Sequence, residues 1–371
     1  MKTTTGKLLT LTLTPLSWLF RAGTEVRNKL FDLGVLRQKV YGVPVVCVGN
    51  LSVGGTGKTP MVELLLRHLQ TEYRIGVVSR GYKRRTKGFL LANSKSTPAT
   101  IGDEPYQMFQ KFGKRVRVAV CESRVRGIDR LLELFPDIDL VVLDDAFQHR
   151  YVRPKVSILL MDYHRPVYED KLLPLGRLRE HISGMNRADF VVVTKCPETL
   201  KPVDTRIVSD SLRLLKYQSL YFASTRYLGL RPVFEDEAPY ALELESLTSA
   251  DTILLVTGIA NPRPLIRVCR RCKARIKVMH FDDHHDFSTA DLVKMERKYA
   301  HLKGARKVIV TTEKDAGRML HNPFFPEALK PYTFHMPIEM QIRPEYNATP
   351  GFIAKLKVAI DKQPRKRETP G

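Results

Sequence analysis

At 371 residues, 43% of them hydrophobic, the chain is long enough for two domains and too apolar for wholesale disorder. Its 61 Lys and Arg against 39 Asp and Glu leave a formal charge of +22, a field that attracts polyanions: nucleic acid, anionic lipid or a phosphorylated substrate. The cysteines (Cys47, Cys121, Cys196, Cys269, Cys272) are odd in number and partly inside apolar runs, which points to reduced thiols; Cys269-Arg-Arg-Cys272 lacks the second pair a zinc set needs.

The chain opens on an apolar run, Leu8 to Phe20, interrupted by Pro15 and several Thr and Ser. It is shorter than the roughly 20 apolar residues of a bilayer span, and no small-residue cleavage site follows it. Beyond it, Arg21, Arg27, Lys29 and Arg37 interleave with Val26, Leu30, Phe31, Leu33 and Leu36, beside Trp18 and Phe20. That composition suits a helix lying in a membrane interface, or one packed on its own domain.

Next come a strand-like run, Val43–Val48, the turn Gly49-Asn50-Leu51-Ser52-Val53-Gly54-Gly55-Thr56-Gly57-Lys58-Thr59-Pro60, and a helical pattern, Met61–Leu69. Strand, glycine-rich turn and helix start are what a phosphate-binding loop requires. Ser52 through Pro60 would cradle a nucleotide, with Lys58 on the β- and γ-phosphates and the Thr59 hydroxyl on Mg²⁺. Ser52 stands where the generic pattern has its first Gly.

A strand at Ile75–Ser79 precedes the basic run Arg80-Gly81-Tyr82-Lys83-Arg84-Arg85-Thr86-Lys87, which reads as a phosphate or headgroup contact or as a solvated loop. Gly102-Asp103-Glu104-Pro105 starts a helical pattern, where Asp103 is either a cap or a base for a substrate hydroxyl. Arg124 and Arg126 follow the strand Val116–Cys121 and add positive charge to the same region. Asp139 to Asp145 is an apolar strand ending in paired carboxylates, Asp144 and Asp145, as in an element that presents acid to Mg²⁺ beside a phosphate loop. His149 follows, as a supporting or a purely structural histidine.

Strands at Val156–Met161 and Phe190–Thr194 flank Leu175-Gly176-Arg177-Leu178-Arg179-Glu180. Continuous Val/Ile/Leu runs alternating with helices read as a mostly parallel sheet buried on both faces. Tyr217–Pro239, with Pro, Gly and acids, reads as a connector. A second, smaller set of strands follows (Ile253–Val256, Ile276–Met279, Lys307–Val310), with helices near Pro264–Cys272 and Thr289–Tyr299 and a returning strand within Tyr332–Ile342. Adjacent side chains of Asp282-Asp283-His284-His285-Asp286 diverge, so one His poised by an Asp fits better than a metal cluster, with two capped, purely structural loop histidines as the equal alternative. The tail from Lys362 is polar and basic, and reads as frayed. The expected division is an N-terminal interfacial region (1–40), a phosphate-loop core (41–216), a smaller α/β domain (217–345) and a C-terminal helix with basic tail (346–371).

In order, these segments resemble the tetraacyldisaccharide 4′-kinase family, the lipid A 4′-kinases. The resemblance rests on the loop Gly49 to Pro60, Ser79-Arg80-Gly81-Tyr82, Gly102-Asp103-Glu104-Pro105, Leu143-Asp144-Asp145 through Arg150, Leu178-Arg179-Glu180, Gly258 to Pro262, Asp283-His284-His285 and Thr312-Glu313-Lys314-Asp315-Ala316. It implies a P-loop NTPase-like α/β fold with a second α/β domain and an interfacial N-terminal helix. It implies a peripheral enzyme on the cytoplasmic face of the bacterial inner membrane. That enzyme would move the ATP γ-phosphate to the 4′-hydroxyl of an acylated glucosamine disaccharide 1-phosphate, giving lipid IVA. By position, Asp103 would be the base, His284 would tune it and Lys58 would stabilise charge; Thr59, Asp144, Asp145 and Glu180 would serve Mg²⁺. Arg80, Tyr82, Arg124 and Arg179 would face the substrate. A switch or partitioning ATPase is the alternative, but Val53 stands where such loops carry a signature Lys. No nucleic-acid partner is expected, since no aromatic residues interleave with the basic ones as a stacking platform would need.

Overall fold

The computed structural model describes residues 4–238, 240–343 and 348–362; the basic tail from residue 363 lies outside them. Along the first half run α1 (Thr4–Asp32), β1 (Val45–Asn50), α2 (Lys58–Leu69), β2 (Ile75–Ser79), β3 (Leu90–Leu91), α3 (Pro98–Ile101), α4 (Asp103–Phe112), β4 (Arg117–Val120), α5 (Arg124–Leu134) and β5 (Leu140–Asp144). Then come β6 (Val156–Asp162), β7 (Phe190–Thr194), α6 (Pro202–Leu212), β8 (Ser219–Tyr227), β9 (Arg231–Pro232), β10 (Thr252–Thr257), α7 (Arg263–Cys269) and β11 (Arg275–His280). The chain continues through α8 (Thr289–Ala300), β12 (Lys307–Thr312), α9 (Glu313–Leu320), β13 (Thr333–Met336), β14 (Ile338–Ile342) and α10 (Ala348–Asp361).

Nine strands form the larger sheet, in the order β14-β8-β7-β6-β1-β5-β2-β4-β3. Its seven inner strands are mutually parallel, and only the edges, β14 and β3, run antiparallel. The apolar runs of β1, β2, β5, β6 and β7 are buried at every position, because helices cover both faces. The chain leaves β1 for one side of the sheet and returns to its other side at β6. A crevice therefore opens beyond the carboxyl ends of β1 and β6, with β5 at the other side of β1, where such folds hold ligands.

The smaller sheet has five strands in the order β11-β10-β12-β13-β9. Its helices are well signalled: Ser288 and Asp291 form a reciprocal capping box on α8, and the Thr312 hydroxyl caps α9. Two segments differ from their sequence reading. Ser219–Tyr227, inside the expected connector, is a strand of the larger sheet beside β7. Tyr332–Ile342 is two strands, β13 in the smaller sheet and β14 in the larger, parted at Pro337, which has no N–H for a continuous ladder. The chain thus crosses back between the sheets after building the second.

Helix α1 is docked along one side. Phe31 is buried, Ser17 Oγ donates to the Leu172 carbonyl at 3.1 Å, and Arg27 donates to the Gln148 carbonyl at 2.8 Å. Its other side leaves Trp18 68% and Leu19 72% exposed, next to Leu16 and Val26. No described helix is long and apolar enough to cross a membrane. All five thiols are free and buried; Cys269 and Cys272 sit in the apolar core under the smaller sheet, and Cys272 Sγ donates to the Cys269 carbonyl.

Candidate active site

Two clusters face the crevice. The first is the loop between β1 and α2. Gly57 adopts φ 85° at the N-cap of α2 and supplies no side-chain cap, so the first N–H groups of the helix point free, as an anion site requires. A Cβ at Gly54 or Gly55 would meet open space, leaving room above the loop. The loop is held from behind: Val53 N–H donates to the Arg177 carbonyl at 2.8 Å, Thr194 Oγ1 to the Thr56 carbonyl at 2.8 Å, and Lys195 to the Gly55 carbonyl. Lys58 Nζ lies 3.7 Å from Asp145 Oδ1, and Arg179 Nη1 lies 3.0 Å from the same oxygen.

The paired carboxylates at the end of β5 have divergent environments. Burial, aided by the neighbouring Asp145 charge, pushes the Asp144 carboxyl up to about 6. Burial also acts on Asp145, but Lys58 and Arg179 outweigh it and hold that carboxyl below its ordinary value. Asp145 takes φ 46°, a left-handed conformation uncommon outside glycine and characteristic of working sites. Asp144 Oδ2 accepts from Ser79 Oγ at 3.0 Å, whereas its buried Oδ1 has no hydrogen-bond partner. Thr59, Asp144 and Asp145 together offer hard oxygen donors and one unpaired buried oxygen, which fits a Mg²⁺ ion whose remaining ligands are phosphate and water.

The second cluster joins the two sheets. Gly102, not Asp103, is the N-cap of α4, so the capping alternative for Asp103 falls away. The Asp103 carboxylate, 3% exposed, instead reaches across to the smaller sheet. Its Oδ2 is 2.7 Å from His284 Nδ1, and Arg318 grips both oxygens, Nε at 2.8 Å and Nη2 at 3.0 Å. Burial alone would raise this carboxyl, but the His284 and Arg318 hydrogen bonds prevail and hold it below the usual range. Lys314 Nζ lies 3.0 Å from His284 Nε2. An ammonium only donates, so Nε2 is the acceptor and the imidazole carries its proton on Nδ1, aimed at Asp103. His284 sits at φ 64° beneath the exposed ring of Tyr82, 5.3 Å between centroids.

The Asp282–Asp286 stretch disperses as its spacing suggests. His285 turns away to Asp291 at 2.9 Å, Asp283 pairs with Lys314 at 3.0 Å and Asp286 with Arg318 at 2.6 Å. Among the described residues, no group of three or more His, Cys, Asp or Glu side chains is gathered to hold a metal. Glu104 lies near enough to Asp144 to help raise its carboxyl, so the start of α4 borders the phosphate-loop crevice.

Other expected residues take different places. Arg124 is buried, and its guanidinium donates to the main-chain carbonyls of Asp144 (3.4 Å) and Asp145 (3.0 Å). It braces the carboxylate turn from beneath. Glu180 is also buried, and its oxygens accept from Gln148 (3.0 Å), Asn28 (3.1 Å) and Arg187 (2.7 Å). Arg80 and Tyr82 are exposed at the mouth. His149 Nε2 accepts from the Arg124 N–H at 3.3 Å, and burial together with Arg124 pushes its imidazole down to about 4, a structural histidine. Residue-level reading passed over Arg318. Its signal was available: Lys314 and Arg318 are four apart after a Thr-capped helix start, hence on one face of α9.

A family model described as tetraacyldisaccharide-1-P 4′-kinase matches residues 9–356. A Bacteroides thetaiotaomicron protein named tetraacyldisaccharide 4′-kinase is 52% identical over 335 residues, covering 88% of each chain. A Porphyromonas gingivalis protein of the same name is 41% identical, over 89% of this chain and 92% of its own. The crystal structure of an LpxK from Aquifex aeolicus in complex with ATP aligns with 95% of this chain and 100% of its own, at 28% identity and a TM-score of 0.71.

Proposed function

The chain belongs to the tetraacyldisaccharide 4′-kinase family and is an ATP-dependent lipid A 4′-kinase, and we propose that its phosphoryl transfer runs between the phosphate loop and the Asp103–His284 pair. The switch-ATPase alternative is not favoured, because the match spans nearly the whole chain, including the smaller sheet. One observation carries the residue assignment: a buried carboxylate at the start of α4, bordering the nucleotide crevice, is hydrogen-bonded by a histidine from the other sheet at 2.7 Å.

Phosphoryl transfer asks chiefly for positioning and charge stabilisation. Residues 52–60 hold the ATP phosphates on main-chain N–H groups and the positive end of α2. Lys58 takes the β- and γ-phosphates, leaving Asp145 when nucleotide enters. Thr59, Asp144 and Asp145 would hold Mg²⁺, which when bound would neutralise charge developing on the phosphates. Asp103 accepts the hydrogen bond of the 4′-hydroxyl and takes its proton as the bond from that oxygen to the γ-phosphorus forms and the bond to the bridging oxygen breaks, releasing ADP. Its lowered basicity is tolerable where the transition state is loose and proton transfer late. His284 fixes the carboxylate's orientation through Nδ1–H, and Lys314 fixes the histidine's tautomer. Glu180 anchors the Arg179 segment against the loop, and Arg179 steadies Asp145. Arg80 and Tyr82, exposed at the mouth, meet the substrate's sugar and phosphate.

The acceptor is a lipid, and the exposed apolar side of α1 beside basic residues suits an anionic bilayer surface. We place the protein on the cytoplasmic face of the inner membrane, with no nucleic-acid partner. The test is to incubate detergent-solubilised protein with γ-labelled ATP, Mg²⁺ and tetraacyldisaccharide 1-phosphate. Label in the lipid fraction is expected; ATP hydrolysis with unlabelled lipid would contradict the reading.

A further inference from the structure

Three helices carry the active-site groups at or near their first turns: α2 carries Lys58 and Thr59, α4 carries Asp103, and α9 carries Lys314 and Arg318. The same three helices also meet in one polar knot, built on Glu63 of α2, Lys111 of α4 and the first residue of α9, Glu313. Lys111 on α4 lies between two carboxylates, 2.8 Å from Glu63 Oε2 on α2 and 2.5 Å from Glu313 Oε1 on α9. Gln107, one turn before Lys111, donates to Glu63 Oε1 at 2.7 Å and reaches Glu313 Oε2 at 3.4 Å. Glu313 Oε2 also accepts from the Ile338 N–H at 3.1 Å, where the chain re-enters the larger sheet. The Glu63 and Glu313 side chains are only 2% and 7% exposed, and Lys111 is 25% exposed.

Asp103, Gln107 and Lys111 are spaced by four, so they form one stripe along α4. The stripe has the acceptor carboxylate at one end and the ammonium at the other. Glu313 directly precedes Lys314 on α9, so any shift of Glu313 moves the residue that sets the His284 tautomer. Two buried carboxylates facing each other repel unless a cation lies between them. We propose that Lys111 is a positioning residue for phosphoryl transfer: by bridging Glu63 and Glu313 it locks the nucleotide helix, the Asp103 helix and the smaller sheet's α9 in one register. The hydrogen bonds and ion pairs of the knot run among Glu63, Gln107, Lys111, Glu313 and the Ile338 N–H, outside the phosphate loop and the Asp103–His284 pair, so its contribution is expected in the rate of transfer rather than in nucleotide binding. This inference rests on Asp103 being the acceptor-side carboxylate.

The experiment compares the full-length parent with Lys111→Met, Lys111→Arg, Glu313→Gln and Lys111→Met/Glu313→Gln, with Asp103→Ala as reference. Label transfer to the lipid is expressed per ATP-binding site, measured by equilibrium dialysis, so unfolded protein drops out. Lys111→Met is expected to lower kcat at least tenfold with the ATP KM within threefold. Lys111→Arg restores most of kcat, and the double variant exceeds Lys111→Met because the uncompensated carboxylate pair is gone. An unchanged kcat per site in both Lys111→Met and Glu313→Gln would overturn the proposal, as would a loss confined to the ATP KM. If Lys111→Met yields too little folded protein, Glu313→Gln decides alone by the same criteria. Full activity in Asp103→Ala would instead overturn the assignment of Asp103, a separate failure.

Discussion

The Asp103 carboxylate is almost wholly buried, yet three hydrogen bonds from His284 and Arg318 keep it ionised. Removing one partner of such a pair leaves a buried charge short of compensation. Arg318→Ala should therefore destabilise the fold by on the order of 3 kcal/mol, read as a lower urea midpoint. It should also slow transfer, since the acceptor carboxylate loses its two-point grip; an unchanged midpoint would mean the pair contributes nothing. Asp103 was legible as a candidate from its place at a helix start, and sequence physics left cap and base equally open. The base reading proposed above rests on a contact 181 residues distant, which no local pattern encodes. Arg124 shows the converse: its spacing put it at the site, but only the fold reveals that its guanidinium points at main-chain carbonyls.

At the scale of elements, the strand–loop–helix from β1 to α2 was readable because apolar run, glycine cluster and helical period occur in sequence. The split between β13 and β14 was not, since two short strands across Pro337 resemble one interrupted strand. The start of α4 depends on Gly102 at φ 93°, where a Cβ would lie 3.1 Å from the Gly81 Cα. Gly102→Ala should cost about 1–3 kcal/mol and misplace Asp103. Chemical denaturation checks the first effect, and lipid labelling the second. On β13, burial pushes the His335 imidazole down to about 4 from an ordinary 6.5. The unfolded chain thus binds a proton that the folded one refuses between those values, so stability falls as pH drops from about 6.5 to about 4. His335→Gln should flatten that part of the urea-midpoint profile, removing a dependence on the order of 3 kcal/mol. An unaltered slope would show that His335 titrates normally.

For the whole molecule, the +22 charge and the apolar outer side of α1 belong to one question, how the enzyme meets a lipid acceptor. The sequence left α1 either at an interface or packed on its own domain. Its contacts to Leu172 and Gln148 dock one side, and Trp18 and Leu19 remain outward on the other. A double change, Trp18→Ser with Leu19→Ser, should weaken partitioning onto anionic vesicles at least about tenfold in a sedimentation assay. Added salt should weaken the parent's binding further. Equal binding by parent and variant would remove α1 from the lipid contact. Charge alone did not separate lipid from nucleic acid; the exposed apolar stripe beside it is what favours the bilayer.

The central claim is that Asp103 receives the acceptor hydroxyl's proton while contributing nothing to nucleotide binding. Single-turnover transfer of labelled γ-phosphate to tetraacyldisaccharide 1-phosphate, measured for the parent and Asp103→Asn at saturating lipid and matched ATP occupancy, tests it most directly. The account predicts a rate lower by about 10²–10⁴-fold in Asp103→Asn, with ATP affinity within threefold of the parent. A transfer rate within a few-fold of the parent would contradict it.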